Sequence, residues 1–196
     1  YKLVDLPGTY SLLSASPDEE AARDFILFGR PDVTLVVMAA TRVERNLNLT
    51  LQVLEITDRV VVCLNLMDEA RRHGLQVDER TLSRELGVPV IPASARFKQG
   101  LDRVLQALSE VATGQYVCKP RRIDNEPPDL KRAVDDLSAR VASAFPRLPN
   151  ARWVALRLLD GDEHIIQALR KGDLDELGSA PTTRPAAVEA LAGGAR

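Results

Sequence analysis

Aromatic side chains are scarce in this chain, with Phe, Tyr and Trp together making up 4% of its 196 residues. A core must therefore be built from Leu, Val, Ile and Ala, and the 45% hydrophobic share is ordinary for a globular protein. Cysteine is nearly absent. Cys63 lies inside an apolar run and Cys118 in a polar one, without C-x-x-C spacing, so metal and redox roles have little support and a reducing compartment fits. No run of about 18 apolar residues occurs, so no transmembrane helix is expected in this chain. Nothing at its start reads as a signal peptide. Positive charge is not in excess: 26 Lys and Arg against 28 Asp and Glu give a net charge of −2. That gives no electrostatic case for a nucleic-acid-binding protein, which would normally show a basic face. The one basic cluster, Lys119-Pro120-Arg121-Arg122, reads as a solvated linker. His73 and His164 are single histidines near helix ends, read as caps or surface residues. The chain opens on a strand, without Met or a polar lead-in, and its natural N-terminus is expected upstream of Tyr1.

What is present is an alternation of apolar runs and amphipathic segments. Leu3 and Val4 read as a short strand ending at Asp5. Ser16, Pro17 and Glu19 mark a helix start, with Ser16 as N-cap, and the helix should run to Phe28 with Ala21, Phe25 and Phe28 on one face. Residues 33–38 are a continuous apolar run that suits a strand buried on both faces. Thr41 and Glu44 form a second capping pattern, before a helix carrying Leu47, Leu51 and Leu54. Val60–Leu64 is the next buried strand, followed by helices reaching His73 and spanning 78–86. Val88–Pro92 holds two prolines and should be an edge strand. Leu101, Val104, Leu105, Leu108 and Val111 make an amphipathic helix that Gly114 closes. The fold class read from this pattern is α/β, with a doubly wound, mostly parallel sheet and a small all-α domain after it. Trp153, Leu156 and Leu159 read as core of that second domain.

Three strand ends carry the chemistry. Asp5-Leu6-Pro7-Gly8 has the D-x-x-G arrangement of a GTPase switch. Asp5 would hold Mg²⁺ through a water, and Gly8, having no Cβ, would let its N–H approach a γ-phosphate. Asn65-Leu66-Met67-Asp68 follows another strand. An ionised Asp68 would accept the N1–H and amino group of guanine as a bidentate pair, which adenine does not offer. Asn65 would bond the base's other edge and tie neighbouring loops together. Ala93-Ser94-Ala95, after a third strand, would support the base, with a backbone N–H near the guanine O6. Ligands of such sheets sit at the carboxyl ends of strands, where all three segments fall. Thr9 stands where many small GTPases place a glutamine that orients the attacking water. It is too short for that, so unaided hydrolysis should be slow; alternatively Thr9 caps a turn.

The chain resembles the cytosolic N-terminal part of FeoB-type ferrous iron transporters. The resemblance rests on the residues from Asp5 to Leu12, on Ser16–Glu19, on Ala22-Arg23-Asp24, and on Asn65–Ala70 and Leu86–Val90. Its most specific part is Glu44-Arg45-Asn46-Leu47-Asn48-Leu49-Thr50-Leu51-Gln52, and Ala155–Asp162 matches a stretch of the family's helical domain. The resemblance implies a G domain that binds GTP and GDP with Mg²⁺ and regulates Fe²⁺ passage through a membrane domain. It implies a GDP-favouring helical domain and a place at the cytoplasmic face of a bacterial inner membrane. Residues 9–18, including Thr9 and Tyr10, would be the moving switch. Partners would be the guanine nucleotide and the membrane domain of the same transporter, with homo-oligomers open.

The phosphate-loop motif G-x-x-x-x-G-K-[ST] is absent from these 196 residues. Ala39 also stands where the family usually has an acidic residue. The expected organisation is a partial G domain over 1–114, a linker over 115–128, a helical domain over 129–177 and a disordered tail over 178–196. In a G domain, the strand leading to the phosphate loop lies between the segments at 1–5 and 33–38. Without it, those two would stand about two strand spacings, roughly 10 Å, apart. The chain alone should then be poorly stable or prone to associate. Two alternatives are a remnant that binds guanine nucleotide or protein without hydrolysis, and a soluble assembly GTPase.

Overall fold

The structure is a computed structural model, and it describes residues 2–12, 16–122, 127–148, 150–172 and 174. The expected tail over 178–196 lies outside the described residues. The chain divides into two compact units, residues 1–133 and 134–196.

The first unit opens with α1 (Pro17–Phe28), where the Ser16 hydroxyl accepts from the Glu19 N–H at 3.3 Å, as its capping signature predicts. Its buried face is Ala22, Ile26, Leu27 and Phe28, with Arg23, rather than the expected face on Ala21 and Phe25. β1 (Thr34–Ala39) follows, then α2 (Val43–Ile56), β2 (Val60–Asn65), α3 (Met67–Arg72), α4 (Glu79–Leu86), β3 (Val90–Pro92) and α5 (Leu101–Ala112). The helix start expected from Thr41 and Glu44 is corrected. Arg42 takes the N-cap position without a side-chain bond, and α2 buries Thr50, Val53 and Leu54.

The three strands form one parallel sheet in the order β1-β2-β3. β2 is central and fully buried from Val60 to Leu64, and β3 is an edge, as its prolines require. α5 covers one face: Val104, Ala107 and Val111 pack with Val61 and Cys63. Leu105, expected on that helix's apolar face, is exposed. Val36 and Met38 are buried and lie in register with Val62 and Leu64. Leu35 and Val37 share the face of Val61 and Cys63, yet Val37 is 58% exposed. β1 is therefore not buried on both faces, because the cover α5 gives to β2 does not extend to it.

The expected strand at residues 1–5 does not form. Residues 2–9 take no regular secondary structure, and Leu3 is 87% exposed. A strand is held by a ladder to a neighbour, and among the described residues no strand pairs with the outer edge of β1. Apolar character alone does not supply that partner.

The second unit is helical. It holds the greater part of α6 (Pro128–Ala144), then α7 (Ala151–Leu159) and α8 (Glu163–Lys171). Asn150 and Asp162 cap α7 and α8, and Trp153, Val154, Ala155 and Ile165 are buried. Gly161 separates the two helices at φ +77°. No helix among the described residues is long and apolar enough to cross a membrane.

Candidate nucleotide-binding site

The second and third predicted loops are brought together, and backbone geometry does most of it. β2 ends at Asn65, and Leu66 then turns in the left-handed region at φ 62°, so that α3 starts at once. A non-glycine residue there costs about 1 kcal/mol, which the bonds around it must offset. β3 runs beside β2, and its continuation, Ala93, donates its N–H to Leu64 O at 2.8 Å. Three further bonds join the loops. The Ala95 N–H donates to Asn65 Oδ1 at 3.0 Å, the Asp68 N–H to Ser94 Oγ at 3.1 Å, and the Met67 N–H to Ala93 O at 3.2 Å. Ser94 and Gln99 close the third loop with paired backbone bonds of 3.0 and 3.2 Å. Gly100 makes that closure possible: it sits at φ +79°, and a Cβ there would lie 2.4 Å from Pro92 O.

Each predicted residue thus has a definite place. Asn65 ties the loops through its side-chain oxygen, as expected. Ser94 is 2% exposed and acts as an internal strut under Asp68. The Ala95 N–H, one of the third-loop donors, is held by Asn65. The Asp68 carboxylate stands in the first turn of α3 and is 18% exposed. Its Oδ2 accepts from the 64%-exposed Arg72 guanidinium at 3.2 Å. An exposed pair four residues apart is worth only a few tenths of a kcal/mol, so a competing ligand can displace it.

Asp5 and Gly8 are not joined to these loops by hydrogen bonds, and both are exposed. A Cβ at Gly8 would meet nothing within 4 Å. The chain becomes fixed at the next residue. The Thr9 hydroxyl donates to Ser11 O at 2.5 Å and lies 3.2 Å from Glu19 Oε1, and the Ser11 N–H returns to Thr9 Oγ1 at 3.2 Å. Thr9 therefore organises a turn. Beyond it, α2 holds the segment: Gln52 Oε1 accepts from the Leu12 N–H at 2.6 Å and from Ser11 Oγ at 3.2 Å. The Arg45 guanidinium stacks 3.8 Å from the Tyr10 ring centre. These contacts were not foreseen, although Arg45, Asn48 and Gln52 recur at helical spacing within the segment that carries the resemblance. No group of three or more His, Cys, Asp or Glu residues suited to a metal occurs among the described residues.

Residues 1–108 match the model of the family described as ferrous iron transport protein B, and residues 127–190 that of the FeoB cytosolic helical domain. The chain belongs to the ferrous iron transport protein B family. The Escherichia coli K12 Fe(2+) transporter FeoB is 37% identical over 164 residues, 82% of this chain and 21% of that protein. The chain thus spans about a fifth of the curated FeoB relatives it matches. Among solved structures, the cytosolic domain of the T. maritima FeoB iron transporter in its GMPPNP form superposes with a TM-score of 0.75 at 30% identity, covering 92% of this chain and 69% of that one. The FeoB G domain from Methanococcus jannaschii is 43% identical, with a TM-score of 0.55, over 56% of this chain and 70% of that one. The α/β first unit and the helical second unit of this chain follow that plan.

Proposed function

We propose that this chain is the guanine-nucleotide-binding regulatory part of a ferrous iron transporter, acting at the cytoplasmic face of a bacterial inner membrane. The observation that carries the reading is the interlocking of Asn65–Asp68 with Ala93–Ala95 at the carboxyl ends of β2 and β3. It leaves Asp68 at a helix start with a carboxylate that a guanine edge can take from Arg72. Leu66 and Met67 would shape the base slot between the two loops. Asp5 and Gly8, exposed and unconstrained, would meet the phosphate end. Mg²⁺ keeps most of its waters and needs few protein carboxylates, so a single Asp5 acting through water suits it. Bound there, the ion would neutralise phosphate charge.

In the intact transporter, the reaction would be GTP + H₂O → GDP + phosphate, coupled to Fe²⁺ passage through a membrane domain. For this chain by itself, nucleotide binding without hydrolysis is favoured. Its sequence holds no phosphate-loop motif, and the Thr9 hydroxyl is engaged in a turn. The test is a titration of the chain with fluorescent GDP, competed by GTP, GDP and ATP, for the parent and for Asp68→Ala. Guanine nucleotides should compete and ATP should not. Asp68→Ala should weaken guanine binding by about tenfold or more, as expected when a charge-assisted pair is removed. Equal competition by ATP, or an unaffected Asp68→Ala, would sink the base-site reading.

A further inference from the structure

At the opposite end of the sheet lies a recess of about 590 Å³, lined by residues of α4 and of the segment after α5. Four cationic side chains reach it: Arg80 and Arg84, one turn apart on α4, and Lys119 and Arg121 on the segment. No carboxylate lines it. Glu85 bonds two of the four, Arg84 at 3.1 Å and Arg121 at 3.2 Å, and Arg80 and Lys119 have no ion-pair partner among the described residues. In a chain of net charge −2, this is a local reversal of sign. The basic cluster is also no loose linker. The Lys119 N–H donates to Gly87 O at 2.9 Å and the Arg121 N–H to Leu86 O at 3.2 Å. Arg122 is drawn the other way, onto Asp58 and the Leu54 carbonyl. Lys119 and Arg121 are thus held beside α4 by backbone bonds before any ligand arrives.

We propose that this recess binds a phosphate-bearing group. Guanidinium forks and an ammonium match phosphate oxygens, and an anion would balance the positive charge that the single Glu85 carboxylate leaves over. The recess is separate from the base loops. It sits beside Gly87, ahead of β3, whereas Asn65 and Ser94 lie past the strands' far ends, five residue rises or about 16 Å along β2. The same chemistry could come from a soluble phosphate ester or from a phospholipid headgroup. Tyr116 and Val117, both exposed at the rim, would suit the latter.

The test follows backbone amide resonances of the full chain during titration with inorganic pyrophosphate at about 0.15 M salt, where exposed charges more than a Debye length apart are screened. Saturable shifts should centre on Gly87, Val117 and Lys119, with Asn65 and Ser94 unmoved. R80E/K119E should weaken binding about tenfold or more. K119Q should weaken it less, and R103E/R140E, with the same change in net charge on exposed sites elsewhere, should leave it intact. Co-sedimentation with vesicles of phosphatidylcholine alone, or of equal parts phosphatidylcholine and phosphatidylglycerol, identifies the source. Binding only to the anionic vesicles, reversed by pyrophosphate, assigns a lipid headgroup; pyrophosphate binding without vesicle binding assigns a soluble ester. Absence of saturable shifts at Gly87 and Lys119, or equal losses in R80E/K119E and R103E/R140E, overturns the proposal.

Discussion

At the scale of single residues, the two loops divide their labour unequally. Ser94 is buried and its hydroxyl satisfies the Asp68 N–H, whereas Asn65 serves the N–H of exposed Ala95. Ser94→Ala should therefore lower stability by about 1–3 kcal/mol, the usual result of orphaning a buried donor. Asn65→Ala should cost less, since water can replace its oxygen. Denaturant unfolding of both variants checks the order, and equal losses would contradict it. The thiols give a second prediction. Burial pushes both Cys63 and Cys118 above the ordinary value of 9.0, so each stays protonated in the fold. Their contribution to stability is intact below the unfolded-state value and is lost as pH rises past it. Alkylation at pH 8 should be slow at both and accelerate on unfolding, with Cys118 the faster in the native chain because it is only half-buried. The residues proposed to select the base were legible because recognition of a guanine edge calls for those residue types in that order. Gln52 was not, because an amide on a helix carries no local sign of the backbone N–H it will meet 40 residues away.

At the scale of elements, legibility followed how local the determining force was. The start of α1 could be read from Ser16, Pro17 and Glu19, since a cap acts within one turn. Thr41 and Glu44 have the same spacing, yet α2 begins one residue later in register and leaves them without that role. The strand expected at Leu3 and Val4 failed for the opposite reason: its ladder depends wholly on a distant partner. The junction of α4 with the segment after α5 was likewise invisible, although Gly87 is its key. Gly87 has φ +73°, and a Cβ there would fall 1.9 Å from Lys119 O. Gly74 has φ +68° but open space around it. Gly74→Ala should cost about 1–2 kcal/mol for the backbone alone. Gly87→Ala should cost more and expose the Lys119 and Arg121 amides to hydrogen exchange. Similar losses in the two variants would remove the carbonyl contact from the account.

At the scale of the whole molecule, the sheet is unfinished on one side. The outer edge of β1 has no partner among the described residues, and Val37 presents an apolar side chain beside it. Such edges template pairing with other chains. The 196-residue chain should show concentration-dependent association in sedimentation velocity, and Val37→Lys should reduce it. A parent chain that stays monomeric over a wide concentration range and melts cooperatively would show that the edge is harmless.

The clasp around Gln52 has a mechanical meaning. Residues 2–8 make no hydrogen bond among the described residues, whereas Thr9 to Leu12 are fastened to α1 and α2. Residues 2–8 are therefore anchored only from Thr9 onward, and seven extended residues span at most about 25 Å. A pull at Gly8 acts with a lever of one residue on Thr9, and through it on Glu19 in the first turn of α1. With the phosphates placed at Gly8 as proposed, a pull there would reach the start of α1 through the Thr9–Glu19 bond.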